Sequence, residues 1–445
     1  MRVRALVSTG SLVVLLCLPG ASPVGAQGGG APPVAVTAPA PGQILTLAQA
    51  VALGLRQQPT IAASQQTEVA ALARIGEARS AWLPRVDWLT SVGRAQGFST
   101  SQGKSIQSSN ASTQIQASQL IYDFGKTGST IDQAKAGVQV ANAQLVQTRQ
   151  TVVQNVKVAY YNLLQAKRLV RVAEANLARS ELNLRSAQGF YDVGTKPKSD
   201  VTNAEVQVAN GRVALIQARN QVAIAQTTLV NAIGLPTSTP FEVEDVLGYE
   251  PLTLDFPALL QEALANRPEL RQSRAQIDSA EAAFKGARAG YYPTVNVTGS
   301  YGGLTNDPAF NLLTSGSENW SITGNLNWNL FQGFFTASQV RETRALLEVA
   351  RANYSSQELQ VRLDVEQAYL NLLEVSERIG ATDKEVEAAQ ENLRLAQGRY
   401  DAGVGTILDL TDAQLSLTNA EADQVRALTD FRVRVATLDR VLGRP

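Results

Sequence analysis

The second half of this chain repeats the first at an offset of 209 residues. Pro59 pairs with Pro268, Pro84 with Pro293 and Tyr122 with Phe331. Ala159-Tyr160-Tyr161-Asn162-Leu163-Leu164 pairs with Ala368-Tyr369-Leu370-Asn371-Leu372-Leu373. Tyr191-Asp192 pairs with Tyr400-Asp401, Asp200 with Asp409, and Gly234-Leu235-Pro236 with Gly443-Arg444-Pro445. Ahead of that register, Leu45-Thr46-Leu47 matches Leu252-Thr253-Leu254 at an offset of 207. A register held without net gap from 59 to 236 means two copies of one large unit, not a short solenoid repeat. The expected organisation is a first repeat over 44–236, a linker over 237–251 and a second repeat over 252–445.

Proline placement shows the anatomy of the unit. None occurs between Pro84 and Pro197, or between Pro308 and Pro445. Proline breaks helix interiors, so these windows permit very long helices. Within them, small and apolar residues recur at 3-4 spacing. One row runs Val138, Ala141, Leu145, Thr148, Val152, then Ala159, Leu163, Ala166, Val170, Ala173, Leu177 and Leu184. Another runs Val201, Ala204, Val208, Gly211, Leu215, Ala218, Val222, Ala225, Leu229, Ala232, and its copy begins Leu410, Ala413, Leu417, Ala420. These are coiled-coil seams whose small residues let helices approach closely. The pattern predicts helices near 127–188, 199–232 and 60–82. At 1.5 Å per residue these are ~90, ~50 and ~35 Å long. The two shorter ones, end to end, nearly match the long one. Each repeat therefore reads as one long helix antiparallel to two stacked shorter ones.

Between Pro84 and the long helix the period changes from 3.6 to 2. Val86, Trp88, Thr90 and Val92 alternate with Arg85, Asp87, Leu89 and Ser91. Ala111, Thr113, Ile115, Ala117 and Ile121 alternate with polar residues over 111–122. In the second copy Val295 and Val297 alternate with Thr294, Asn296 and Thr298. There too Trp320, Ile322, Gly324, Leu326, Trp328 and Leu330 alternate with Ser and Asn or Thr. One face is apolar with aromatics near its ends; the other is polar and almost uncharged. That is the signature of membrane-spanning β-strands with a wet interior. The Gly/Ser/Asn-rich connectors 94–110 and 302–319 read as exposed loops. Four strands per chain leave open edges, which lipid does not allow, so copies of the chain must close them.

Composition excludes most chemistry. There is no His; Met1 and Cys17 are the single Met and Cys. Residues 1–26 read as a secretory signal peptide: Arg2 and Arg4, an apolar stretch from Ala5 to Leu18, then Val24-Gly25-Ala26. Residues 27–43 read as a flexible, Ala/Pro/Gly-rich lead-in. The exported chain then lacks His/Cys metal sites, thiol nucleophiles and disulfides. With Arg2 and Arg4 gone, 37 of the 39 basic groups remain against 39 acidic ones. That balance argues against a nucleic-acid partner. Gly125-Lys126-Thr127 resembles the end of a phosphate-binding loop, but Leu120 stands where that loop needs glycine. Glu242 and Glu244-Asp245 read as solvated linker rather than a glycosidase pair. Lys167, Arg168, Arg171 and Glu174 read as solvated helix surface. No cofactor and no catalytic activity are expected.

The joins Gln119-Leu120-Ile121-Tyr122-Asp123 and Leu330-Phe331-Gln332-Gly333, and the turns Tyr191-Asp192-Val193-Gly194-Thr195 and Tyr400-Asp401-Ala402-Gly403-Val404-Gly405-Thr406, carry a resemblance. In order and in double occurrence they resemble TolC-type outer-membrane efflux channels, over about 44–445. The resemblance implies a homotrimer. Its fold would be mainly α with transmembrane β: a long α-helical coiled-coil tunnel in the periplasm, and four strands per chain completing a 12-stranded barrel in outer-membrane lipid. It implies docking of the turns onto a periplasmic adaptor coupled to an inner-membrane transporter. Such a duct would serve efflux or type I secretion. Tyr191, Val193, Gly194, Tyr400, Gly403 and Val404 match the docking turns. Asp409 and Asp412 match the family's acidic constriction, and Asp200 and Tyr400 match positions linking helix pairs in the closed state. Gly405 stands where relatives can carry an arginine, so that link is expected to be weaker or different here. From the residues alone, Thr406-x-x-Asp409 also fits a helix-start box, so Asp409 has two readings. The competing function is a periplasmic coiled-coil structural or adaptor-like protein without a membrane barrel.

Overall fold

The computed structural model describes residues 44–101, 103–236, 242–252, 254–305 and 317–444. The expected leader 1–26 and lead-in 27–43 lie outside the described residues. The chain opens with β1 (Ile44–Leu45) and α1 (Leu47–Gln57). Thr46 caps α1: its hydroxyl accepts from the Gln49 amide at 3.3 Å, and the Gln49 side chain accepts from the Thr46 amide at 3.2 Å. Pro59 keeps Gln58 extended and opens α2 (Pro59–Ser80) at its first position. The helix expected at 60–82 is therefore preceded by a separate one, which the periodicity did not single out. Arg267 and Pro268 make the same break between α5 (Phe256–Asn266) and α6 (Pro268–Ala289).

The long helices follow the proline-free windows. They are α3 (Lys126–Asp192) and α7 (Phe335–Asp401), each 67 residues, or ~100 Å. The returning helices are α4 (Lys198–Ile233) and α8 (Ile407–Val441). α3 packs on α2 and α4 of its own repeat; α7 packs on α6 and α8. The expected one-against-two arrangement thus holds in both copies. α3 also packs on α6 and α8 of the other repeat, which joins the halves. Ala204, Val208, Gly211, Ala225 and Leu229 are the buried face of α4. A Cβ at Gly211 would stand 3.4 Å from the Leu177 Cα, so this row brings the two backbones close.

The repeated glycine before each C-terminal proline has a structural cause. Gly234 ends α4 at φ +82° and abuts the Gln57–Gln58 backbone; Gly443 ends α8's turn at φ +77° and abuts Asn266–Arg267. Each returning helix thus ends on the break between the two short helices of its own repeat. Gln58 donates to the Asn231 and Ala232 carbonyls at 3.3 and 3.1 Å, satisfying the end of α4. At the same place in the second repeat, buried Arg267 instead pairs with Asp364 at 2.7 Å and with Glu269.

The segment after α4 is tied down. β4 (Glu242–Val243) pairs in parallel with β1. The Tyr160 hydroxyl lies 2.9 Å from the Leu45 carbonyl and 3.0 Å from that of Glu244. Arg168 grips Asp245 with two hydrogen bonds, at 3.1 and 2.8 Å, and donates to the Leu247 carbonyl. This corrects the expectation for Asp245 and Arg168. They are not solvated linker and surface but a partly buried clamp between the linker and α3.

β2 (Arg85–Ser99), β3 (Lys104–Tyr122), β5 (Thr294–Thr305) and β6 (Ser317–Asn327) form one antiparallel sheet in the order β2-β3-β5-β6. Its rows carry the expected two faces. Trp88, Ile115, Tyr301 and Trp320 lie side by side across all four strands, and all are exposed. Val86, Ala117, Gly299 and Ile322 form another row of that face. The opposite face has the rows Asp87, Gln116, Ser300, Ser321 and Arg85, Ser118, Thr298, Thr323. The connector reading of 94–110 is corrected. The hairpin continues in register to Ser99 and Lys104, leaving only a short turn. Beyond Val92 its outward positions are Arg94, Gln96 and Phe98 against Ser109, Gln107 and Ser105, so the apolar belt ends there. Of the second connector, 306–316 lies outside the described residues.

Two outcomes test this packing. Gly234→Ala forces a Cβ to within 2.9 Å of the Gln57 carbonyl oxygen from a left-handed backbone. It is expected to destabilise by about 1–3 kcal/mol. Gly76→Ala, with nothing within 4 Å, is the neutral or stabilising control; thermal denaturation at fixed scan rate compares them. Burial pushes the Tyr160 hydroxyl up to about 12. The unfolded chain releases that proton near pH 10 while the folded chain holds it, so stability falls as pH rises from ~10 towards 12. Tyr160→Phe removes this alkaline slope; an unchanged slope of unfolding free energy against pH refutes the assignment.

Candidate functional site

The residues expected to act lie at the turns joining α3 to α4 and α7 to α8. Both turns reverse through a left-handed glycine, Gly194 at φ +73° and Gly403 at φ +77°. Gly194 N–H bonds to the Tyr191 carbonyl at 2.9 Å and Gly403 N–H to that of Tyr400 at 3.1 Å. The equivalent bonds confirm that the turns are copies. Val193 and Val404 project at 72 and 81% exposure, and Tyr191 is also exposed. Two bare valines on tight turns are an apolar surface with no cover from the chain itself.

Tyr400 is different. It is fully buried, edge-on to Phe190 with ring centroids 5.7 Å apart, and packed with Ile407 and Leu410. Its ring is covered between the two hairpins, in contact with Phe190 of one and Ile407 and Leu410 of the other. Asp200, also buried, acts on the Tyr400 hydroxyl by charge and by hydrogen bonding. Burial raises its pKa, and the charges of Asp200 and Asp401 add to that.

A residue that periodicity did not reveal completes the link. Lys196, in the first turn, donates to the Gly405 carbonyl at 3.1 Å and stands 4.8 Å from the centre of the Tyr400 ring. A cation over an aromatic face is favourable. A Cβ at Gly405 would lie 3.0 Å from the Arg399 backbone and from the Tyr400 amide nitrogen, so a larger residue does not fit this turn as it stands.

Asp409 carries out the helix-start reading. Thr406 Oγ accepts from the Asp409 amide at 3.1 Å, and the Asp409 carboxylate accepts from the Thr406 amide and hydroxyl at 3.2 and 2.7 Å. The Thr406 hydroxyl, then its amide, hold the carboxyl below its ordinary pKa, with Arg399 adding to the effect. Asp412 lies three residues on, and both carboxylates are exposed on one flank of α8. One chain therefore presents two stacked acids, but no ring. Among the described residues no group of three or more His, Cys, Asp or Glu could hold a metal ion. No described helix is long and apolar enough to cross a membrane.

Comparison with known proteins agrees with this anatomy. A family model described as outer membrane efflux protein matches residues 51–235 and 259–444, once per repeat. Outer membrane protein TolC of Escherichia coli (strain K12) is 26% identical over 403 residues, covering 86% of this chain and 79% of that one. Nodulation protein T of Rhizobium leguminosarum bv. trifolii is 23% identical over 348 residues, covering 76% and 73%. Among solved structures, the outer-membrane channel OprN superposes with a TM-score of 0.78 at 20% identity, over 90% of each chain. CusC does so with 0.80 at 17% identity, over 93% of this chain and 98% of that one. These structural likenesses establish the fold. With both of its repeats matched in order, the chain belongs to the outer membrane efflux protein family, whose place is the outer membrane of Gram-negative bacteria with long helices in the periplasm.

Proposed function

We propose that three copies of this chain form a passive export duct, fed by an inner-membrane transporter and opened at the helical turns by a periplasmic adaptor. The observation that carries this reading is the sheet. Its outward face is apolar, its other face is polar, and its two edge strands, β2 and β6, run in opposite directions. The edge of one copy can therefore pair antiparallel with the edge of the next. Three four-stranded sheets close into twelve strands, the even-numbered antiparallel barrel that lipid tolerates.

The helices support the same closure. Along the chain's layer, α3 is flanked by α2 and α4 on one side and by α6 and α8 on the other, with α7 beyond. The outer flanks are unpartnered and apolar. On α7, Val349, Leu363 and Leu370 are exposed and separated by multiples of seven. On α4, Val206, Val213, Ile216 and Ile224 are exposed, and on α2, Val69 and Leu72. Heptad spacing is the mark of a helix that meets another helix. Copies in a ring bring α7 against the next chain's α2 and α4.

In such a ring Asp409 and Asp412 from each copy form stacked acidic tiers at the mouth, which attract cations. Tyr191, Val193, Gly194, Gly403 and Val404 supply the adaptor surface, while Tyr400 and Asp200 hold the hairpins behind it. Nothing in this duct needs a cofactor, and cargo is chosen by the transporter.

Membrane fractionation followed by planar-bilayer recording tests the proposal. The expected result is a trimer in the outer-membrane fraction that conducts. A soluble monomer without channel activity overturns it and leaves the periplasmic coiled-coil reading. The acidic tiers have their own test. Asp409→Ala with Asp412→Ala is expected to lower cation selectivity and block by multivalent cations; unchanged reversal potentials would place both residues away from the path.

A further inference from the structure

Where α3 and α8 pack within one chain, the row of small apolar residues is interrupted by a buried polar seam. Gln414 is 6% exposed, Ser180 2% and Asn183 9%. The Gln414 carboxamide is fully engaged. Its oxygen accepts from Asn183 Nδ2 at 2.6 Å, and its nitrogen donates to Ser180 Oγ at 2.7 Å and to Asn176 Oδ1 at 3.1 Å. Thr418 Oγ1 donates to the same Asn176 oxygen at 3.0 Å, and Arg179 holds Glu421 through two hydrogen bonds. A seam of alanines tolerates sliding. A buried carboxamide does not, because a shift of one turn, ~5 Å, leaves each partner desolvated and unpaired. Single buried amides set helix register for this reason.

The duplication supplies an internal comparison. At the 209-residue offset, Asn176 corresponds to Glu385, Ser180 to Ala389, Gln414 to Glu205 and Thr418 to Ala209. In a ring of copies these are the positions where α7 meets the next chain's α4. There Asn176 and Gln414 give way to carboxylates exposed in the single chain, and Ser180 and Thr418 to alanines, while Asn183 keeps its amide as Asn392. Like charges brought together repel. The joint within a chain is therefore pinned by a buried amide network with the Arg179–Glu421 ion pair beside it, whereas its counterpart between chains keeps one amide of that network, Asn392.

We infer that Gln414, with Asn176, Ser180 and Asn183, pins the two helical hairpins of one chain in a single register, acting as the pivot of the tunnel's end. Movement is confined to the turns beyond the pin and to the joint between copies. This inference rests on the proposed duct for its meaning, but its test does not depend on conductance.

The test is a pair of distance measurements by spin labels on the full chain with Cys17→Ser, the labelled chain being diluted with unlabelled copies. One pair, Leu182→Cys with Leu415→Cys, spans the seam; the other, Val193→Cys with Val404→Cys, spans the turns. Each pair is measured with and without Tyr400→Ala. The expected result is a turn distance that broadens by about one helical turn's rise, ~5 Å, while the seam distance is unchanged. A seam that widens together with the turns, or turns that do not respond, overturns the pivot. In Gln414→Leu the seam distribution is expected to broaden; an unchanged width there removes these amides from the role. Failure of the duct itself would show separately, as absence of channels in the bilayer with the distances unaffected.

Discussion

Hydrocarbon offers no water to a backbone amide, and that constraint organises this molecule. A four-stranded sheet has two rows of unpaired N–H and C=O groups along its edges, each expensive in lipid. β2 and β6 point in opposite directions, which is the geometry that the proposed closure by identical copies requires. Under that proposal the demand passes down to the helices, because a ring of copies needs helical hairpins of equal reach. α3 and α7 are both 67 residues long, and Asp192 and Asp401 end them one repeat apart. The joins from strand to helix are copied too. Phe124-Gly125 and Gly333-Phe334 both pass through two left-handed residues, with the order of the pair reversed. A left-handed phenylalanine costs about 1–2 kcal/mol, so its presence at both joins points to the turn itself as the requirement.

Within the helical part, residue size does what hydrophobicity alone does not. The two shorter helices of a repeat cover the long one only if backbones approach closely, and Gly211 against Leu177 shows how close. The breaks between short helices are where the copies have diverged. Gln58 satisfies the α4 end with a neutral amide; Arg267 occupies the same corner as a buried cation between Asp364 and Glu269. Both fill one geometric need, the seat for a left-handed glycine, with different chemistry. A buried ion pair is weak evidence for stability, and the neutral version in the first repeat shows that the corner does not require charge.

Much of this was legible because its signals are local. Absence of proline marks a long helix residue by residue, and the alternation of Trp320, Ile322 and Leu326 with Ser321, Thr323 and Asn325 reports a two-faced strand directly. The resemblance of the turns to a known family then directed attention to Tyr191–Thr195 and Tyr400–Thr406. What stayed hidden depends on partners distant in sequence. Residues 94–110 are rich in Ser and Gly and read as loop, yet they pair in register because the hairpin below propagates upward. Arg168 looked like a solvated helix charge until the linker brought Asp245 to it. Lys196 carries no pattern at all, and its role follows from Gly405 lying on the other hairpin. Asp409 was read two ways because both are physically sound. The capping geometry is that of the single chain, and the constriction reading belongs to the proposed ring of copies.

The scarcity of reactive side chains takes on a physical sense beside these contacts. Apart from Arg85 and Asp87, the polar rows through Gln116 and Ser118 are built of Ser, Thr and Gln. Several charges elsewhere have a geometric task. Arg168 with Asp245 clamps the linker, Arg267 fills a corner, and Lys196 bridges two turns. In the seam between hairpins, buried amides carry the register and the Arg179–Glu421 ion pair stands beside them. A carboxamide makes directional bonds with both its atoms and carries no net charge for salt to screen. The register carried by Gln414, Asn176, Ser180 and Asn183 is therefore less sensitive to salt than one carried by ion pairs alone.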